Sequence, residues 1–116
     1  LKGLGTDIIE IARIHSSIED FKDVFLKKHF TENEICYCLK YPHPAERFAG
    51  RFAAKEAIVK ALGTGFVGIS FLDIEILNNE NGAPEVFFLK PQFKHFQVLL
   101  SISHCKLFAV ATALIL

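Results

Sequence analysis

Arg51-Phe-Ala-Ala-Lys-Glu-Ala-Ile-Val-Lys-Ala-Leu-Gly-Thr-Gly65 is the stretch from which the fold can be read. Alanine, leucine, lysine and glutamate favour helix, and no proline interrupts the run after Pro44, so a long helix is predicted to begin near that residue. Gly63 and Gly65 end it, because glycine takes the left-handed turn that a helix C-terminus wants. Lys60 falls in the last turn, where a cation suits the helix dipole. At about 100° per residue, Phe48, Phe52, Val59 and Leu62 share one face. Lys55 points along the middle of that face and Glu56 lies at its edge. Arg51 comes one turn before Lys55, and Lys60 one turn after Glu56. On the other side Ala49, Ala53, Ala57 and Ala61 form a stripe small enough for another backbone to approach closely. A helix apolar nearly all round is a buried helix. Its charges must then meet partners, because an unpaired buried charge is expensive. One reading is a surface helix with snorkelling side chains and an ordinary i,i+4 contact between Glu56 and Lys60. Four charges around an Ala/Phe core, followed by Gly-Thr-Gly, favour instead a site for an anion, with room for a metal.

Composition narrows the classes. A chain of 116 residues suggests one domain with a modest core. Half of it is hydrophobic, with 12 phenylalanines and no tryptophan or methionine. Acidic and basic residues cancel, which argues against a general nucleic-acid binder. A surface this neutral and this apolar favours self-association. Cys36, Cys38 and Cys105 make neither an even set nor a C-x-x-C pair, so they read as reduced thiols of a cytoplasmic protein. No apolar run is long enough for a membrane span, and no signal peptide is visible.

The predicted order is α+β, a helical N-terminal half followed by strands. Residues 2–8 read as a first strand whose two glycines permit close approach, with Asp7 where the strand runs out. On spacing alone, Asp7 is more readily the N-cap of the next helix than a metal carboxylate at a strand end. Residues 8–18 read as an amphipathic helix with Ile8, Ile11, Ile14 and Ile18 inward. Residues 19–28 read as a second helical piece with Phe21, Val24 and Phe25 inward. His15 and His29 read as ordinary surface or loop residues. Thr31 and Glu34 form a capping box, with Phe30 stapling onto Ile35. Tyr41-Pro-His-Pro44 is the sharpest break.

Past Gly68 the texture becomes β. Residues 70–77 alternate, with Leu72, Ile74 and Ile76 on one face. Residues 78–84 form a hairpin loop with an Asn-Gly signal, and 85–89 pair back. Residues 97–104 and 107–116 are further strands. The last is apolar on both faces, hence central or buried in an interface. Its small face, Ala109, Ala111 and Ala113, is expected to receive the alanine stripe of the long helix. His104, at a strand end beside Ser101 and Ser103, is either an edge histidine or a phosphate contact.

Taken together, Gly5-Thr-Asp-Ile-Ile-Glu-Ile-Ala-Arg13, Phe30-Thr-Glu-Asn-Glu34, the Arg51–Gly65 stretch and Ile102-Ser-His104 resemble the holo-(acyl-carrier-protein) synthases. These are the small bacterial 4′-phosphopantetheinyl transferases. The resemblance runs from Gly3 to the C-terminus. It implies transfer of the phosphopantetheine arm of coenzyme A to a serine of apo acyl carrier protein, with 3′,5′-ADP released. It also implies an α+β domain, helices with a long central helix on an antiparallel-rich sheet, assembled as a homotrimer with coenzyme A between neighbouring subunits. Asp7 and Glu56 match the family's Mg2+ carboxylates. Lys60 matches the lysine that meets the phosphates. Arg51 and His104, with Ser103 beside it, match positions near the nucleotide and its 3′-phosphate. Arg13 matches a basic contact to the carrier protein.

The chemistry is consistent with those residues. Transfer from a pyrophosphate needs its charge neutralised, which a hard cation on carboxylates and phosphate oxygens supplies. Lysine adds a point charge, and Gly63 and Gly65 allow close backbone approach. Glu56 or a water on the metal takes the serine proton, and the sequence leaves both open. The family's Gly-Lys-Pro loop stands here as Gly82-Ala83-Pro84, and Ser17, Asp20 and Asp23 occupy a neighbourhood that is usually basic. Two other classes fit the residues. One is a different metal-dependent enzyme acting on nucleotides; the other is a non-catalytic trimeric module in which Asp7, Glu56 and Lys60 form a structural network.

Overall fold

The structure, a computed structural model, describes residues 2–116. Strand β1 (Gly3–Glu10) leads into helices α1 (Ile11–Phe21), α2 (Asp23–His29), α3 (Glu32–Leu39) and α4 (Pro44–Leu62). Strands β2 (Ile74–Asn78), β3 (Pro84–Phe88), β4 (Val98–His104) and β5 (Phe108–Ile115) follow. One antiparallel sheet has the order β1-β5-β4, and β2-β3 is a separate hairpin.

Helix α4 lies against the three-stranded sheet, small side on small side as expected. Ala53 and Ala57 on the helix and Ala109, Ala111 and Ala113 on β5 are buried. The glycines of β1 complete this fit. A Cβ at Gly3 would sit 2.0 Å from the carbonyl oxygen of Ala61, and one at Gly5 1.9 Å from that of Ala57. Only glycine lets the strand lie this close to the helix. As expected, α4 starts at Pro44 and ends on Gly63, whose φ of 79° is left-handed. Strand β5 is central, also as expected.

Several local expectations need correction. Strand β1 does not run out at Asp7. It pairs with β5 through Glu10 opposite Phe108, and the Ile11 N–H then bonds the Leu107 carbonyl at 2.9 Å. Ile8 therefore points away from α4 and is exposed rather than inward. The residue before α1 is Glu10, with no side-chain cap, so Asp7 caps nothing there. The second helical piece is broken off at Lys22, whose φ is 48°. That break turns Phe21 and Val24 to solvent and seats Leu26 in the core instead. The first residues of the 70–77 strand are a 3-10 turn at Phe71–Asp73, held by reciprocal capping between Ser70 and Asp73, so Leu72 is exposed. His29 is not an ordinary surface residue. Its ring packs among Phe25, Phe52 and Phe71, and its Nδ1 lies 2.8 Å from the Phe25 carbonyl.

The capping box of α3 forms as predicted, but Glu34 does more than cap. Its carboxylate is fully buried and accepts from the N–H groups of Thr31, at 2.8 Å, and Ile76, at 2.9 Å. It also accepts from Lys55 Nζ at 2.7 Å. Lys55, itself fully buried, donates further to the carbonyls of His29 and Phe71, at 2.8 and 2.9 Å. This ion pair ties the end of α2, the start of α3, the middle of α4 and β2 together. No buried side-chain polar atom among the described residues is left without a partner.

Candidate active site

The four charges of the Arg51–Gly65 stretch do not converge; the structure divides them. Arg51 and Lys55 are buried and serve the hairpin side, while Glu56 and Lys60 lie beside β1. Residues 5, 7 and 9 of β1 face α4, and Asp7 is the polar member of that row. Lys60 Nζ spans the strand, donating to the Thr6 carbonyl and to Asp7 Oδ1, both at 3.0 Å. Glu56 is half-buried nearby. Burial pushes its carboxyl above the usual range, the Asp7 charge pushes it the same way, and Lys60 offsets part of this. Two carboxylates and one ammonium thus meet at a strand–helix junction that the Gly5–Ala57 contact holds rigid.

This corner suits a hard cation. Asp7 and Glu56 supply oxygen donors close enough to repel each other, a repulsion a divalent ion relieves. Among the described residues no group of three or more His, Cys, Asp or Glu is arranged for a metal. Such an ion would therefore take its other ligands from water and phosphate, which is the habit of magnesium. After Gly63, Gly65 also takes a left-handed φ, 61°, and a Cβ on either glycine would meet nothing within 4 Å. Their role is to turn the chain away from the end of α4. Phe66 in the loop stacks on Phe71 at 4.5 Å, and Phe71 on Phe52 at 4.9 Å, so the loop is anchored back onto the helix.

A second cavity, of about 130 Å³, opens where α4 passes β2 and β4, between Glu46, Arg51, Asn78 and His104. Arg51 is only 4% exposed. Its Nε bonds the Ile76 carbonyl at 3.3 Å, its Nη2 bonds Asn78 Oδ1, and its guanidinium lies 4.3 Å over the Tyr37 ring. His104 Nε2 is 3.4 Å from Glu46. Arg51 and His104 therefore share one cavity, whereas Ser103 faces the opposite side of the sheet, with Ser101. Arg13 stands on the exposed side of α1, at the rim of a groove of about 390 Å³ that includes Ile9, Phe25 and Phe52.

Sequence reasoning missed Glu34 as the partner of Lys55 and Asn78 as the anchor of Arg51. A buried lysine does call for a carboxylate, but only the folded α3 shows which one.

An α+β chain of this topology, with a carboxylate pair and a lysine at a strand–helix junction and a separate guanidinium–imidazole cavity, has the parts of an enzyme that handles phosphates. The family model described as the 4′-phosphopantetheinyl transferase superfamily matches residues 3–113, and the chain belongs to that family. The chain is 54% identical over 115 residues to the holo-[acyl-carrier-protein] synthase of Protochlamydia amoebophila, covering 96% of this chain and 94% of that one. It is also similar to the crystal structure of a holo-(acyl-carrier-protein) synthase from Bacillus anthracis in complex with CoA (3′,5′-ADP). There the TM-score is 0.86 at 41% identity, with 98% of this chain and 95% of that one covered. The Helicobacter pylori holo-[acyl-carrier-protein] synthase in complex with coenzyme A gives a TM-score of 0.87 at 36% identity, covering 97% and 99%.

Proposed function

We propose that this chain is a holo-(acyl-carrier-protein) synthase. It transfers the 4′-phosphopantetheine group of coenzyme A to a serine of apo acyl carrier protein and releases 3′,5′-ADP. Membership of the family supports the reaction class, and the meeting of Asp7, Glu56 and Lys60 is the observation that carries the site. In this reading residues 1–116 act as one domain.

The residues divide the work as follows. Lys60 holds its ammonium at the β1 edge of the site, where it neutralises a pyrophosphate oxygen as charge builds on the leaving group. Asp7 and Glu56 hold Mg2+, which when bound supplies charge stabilisation at the phosphoryl oxygens. Glu56, or a water that the metal would hold, takes the serine proton. Gly63 and Gly65 turn the chain so that its backbone leaves space for the coenzyme. Arg51 forms the wall of the second cavity and His104 its rim, and both serve the nucleotide end of the coenzyme. Arg13 meets the acidic carrier protein at the rim of the α1 groove.

The Asp7–Lys60 corner lies beside β1 and the Arg51 cavity beside β2 and β4, which favours a coenzyme shared between subunits. The outer face of the β1-β5-β4 sheet supports the same reading. Leu4, Ile8, Leu99, Phe108 and Val110 are all exposed there. The assembly proposed is a homotrimer, and light scattering that gave a monomer at micromolar concentration would contradict it. No helix among the described residues is long and apolar enough to cross a membrane. A cytoplasmic reaction is the reading that the three free thiols and the two substrates support.

The function is tested by incubating purified apo acyl carrier protein with coenzyme A, magnesium and this protein. Mass spectrometry should show the carrier gaining one phosphopantetheine group. A carrier of unchanged mass alongside hydrolysed coenzyme would favour a different nucleotide-processing enzyme.

A further inference from the structure

The loop between α4 and the 3-10 turn at Phe71–Asp73 begins in the turn of helix that carries Lys60. Gly63, Gly65 and Gly68 all take left-handed φ, 79°, 61° and 79°, and a Cβ on any of them would meet nothing within 4 Å. The Thr64 hydroxyl bonds the Gly65 carbonyl, inside the loop itself, at 3.1 Å, and Val67 is exposed. A backbone this open and this rich in glycine has much conformational freedom to lose. Phe66 restrains it. Its ring stacks on that of Phe71, with centroids 4.5 Å and planes 21° apart. Phe71 is itself fixed in three ways. Its ring stacks on Phe52 at 4.9 Å, the His29 ring meets it edge-on at 4.8 Å, and its carbonyl accepts from the buried Lys55 at 2.9 Å. Lys90 ties down the far end of the loop, donating to the Gly68 carbonyl at 3.1 Å and lying 3.4 Å from Asp73. Phe66 is 39% exposed, so its contact orders the loop without belonging to the core.

We propose that Phe66 is a positioning residue for the transfer: stacked on Phe71, it holds the Gly63–Gly65 turn in the arrangement that receives the coenzyme beside Lys60. The inference rests on the function proposed above and adds to it what keeps that turn ordered before the coenzyme arrives. Phe66 acts through the glycine backbone and touches no substrate. A turn ordered on folding meets its entropic cost there, and binding then proceeds without it. The buried Lys55–Glu34 pair is thereby linked to the open corner, through Phe71 and Phe66, without any side chain of that pair reaching the site.

The test compares wild type with Phe66→Ala, Phe66→Leu and Phe66→Tyr. Phe66→Ala should weaken coenzyme A binding, measured by calorimetry and as KM, by about twofold to tenfold, the worth of one aromatic stacking contact. The kcat at saturating coenzyme A should fall less, since the bound coenzyme then orders the turn, and the KM for the carrier should stay as it is. Phe66→Tyr keeps the ring and should restore wild-type affinity. Phe66→Leu keeps only apolar bulk and should fall between, which also covers a disturbance of the fold by alanine. Unchanged affinity in Phe66→Ala, or an equal rise in both KM values, would overturn the role. A direct contact with the coenzyme is separated from positioning by NMR on the ligand-free protein. The backbone order parameters of Thr64 and Gly65 should drop towards about 0.6 in Phe66→Ala; values equal to wild type overturn the proposal whether or not the protein transfers anything. If wild type binds coenzyme A with this dependence on Phe66 yet leaves the carrier unmodified, the proposed function fails and the positioning role stands.

Discussion

Lys55 and Lys60 lie little more than one turn apart on α4, and each binds a carboxylate. Lys55 and Glu34 are both fully buried, 2.7 Å apart, with every neighbouring backbone acceptor and donor engaged. Lys60 is 54% exposed, and its partner Asp7 shares its surroundings with a second carboxylate, Glu56. The first pair is closed: four elements fix it and no ligand can enter. The second is open, with more negative than positive charge and room for further oxygen ligands. One helix therefore carries a closed ion pair and an open one, and burial rather than residue type separates them.

Removing the closed pair's cation should have the largest effect on stability. Lys55→Met leaves a buried carboxylate with no cation, at a cost of about 3–5 kcal/mol. A urea midpoint within error of wild type would show that the pair is not closed. Lys55→Met/Glu34→Leu should recover only part of the loss, because the N–H groups of Thr31 and Ile76 are then left without their acceptor. Lys60→Met should behave oppositely. An exposed pair is worth about 0–1 kcal/mol to the fold, so its midpoint should barely move. Its turnover should drop by about two orders of magnitude, the usual cost of losing one preorganised charge at a transition state. A Lys60 variant that unfolded while keeping its specific activity would reverse the comparison.

Arg13→Glu sharpens the account at the edge of the site. A rim charge steers an acidic partner, so the apparent KM for the carrier should rise by up to about tenfold while coenzyme A binding is nearly unchanged. Steady-state kinetics with each substrate varied in turn decides this, and an equal loss for both substrates would remove Arg13 from docking.

The smallest effect concerns pH and belongs to the buried region. Burial holds the His29 imidazole below its ordinary value of 6.5, although its bond to the Phe25 carbonyl offsets part of the shift. The unfolded chain therefore takes up this proton first. Stability should be complete above pH 6.5 and decline as pH falls from there through the lower folded value. His29→Phe should flatten that part of the stability curve, measured by denaturation at a series of pH values. An unchanged slope would mean that the imidazole is already solvated.

The sequence shows this division only in part. The long helix was legible because its alanine stripe and phenylalanine face leave no polar side, and the Thr31–Glu34 capping box is a local signal. The end of β1 was not legible. Ile8-Ile9-Glu10-Ile11 suits a strand's alternation and a helix's period alike, and pairing with β5 decides between them. The break at Lys22 carries no glycine or proline to announce it. Asp7, Glu56 and Lys60 were candidates by resemblance, but their meeting is a long-range fact; the burial of Lys55 was legible from its place on the apolar face, while its partner was not. Glu34 comes beneath α4 only once α3 has docked. Arg51 reads as a ligand residue from its motif, yet most of its bonding capacity goes to β2.

The central claim is that the open corner of Asp7, Glu56 and Lys60 performs the transfer. Single-turnover transfer from coenzyme A to apo acyl carrier protein by Glu56→Gln, at saturating magnesium, tests it most directly. The substitution keeps the size of the side chain and touches none of the closed pair's bonds. The account predicts a rate at least about 100-fold below wild type, the scale on which a general base or a metal carboxylate acts, with an unchanged denaturation midpoint. A near-normal rate in this variant would contradict it.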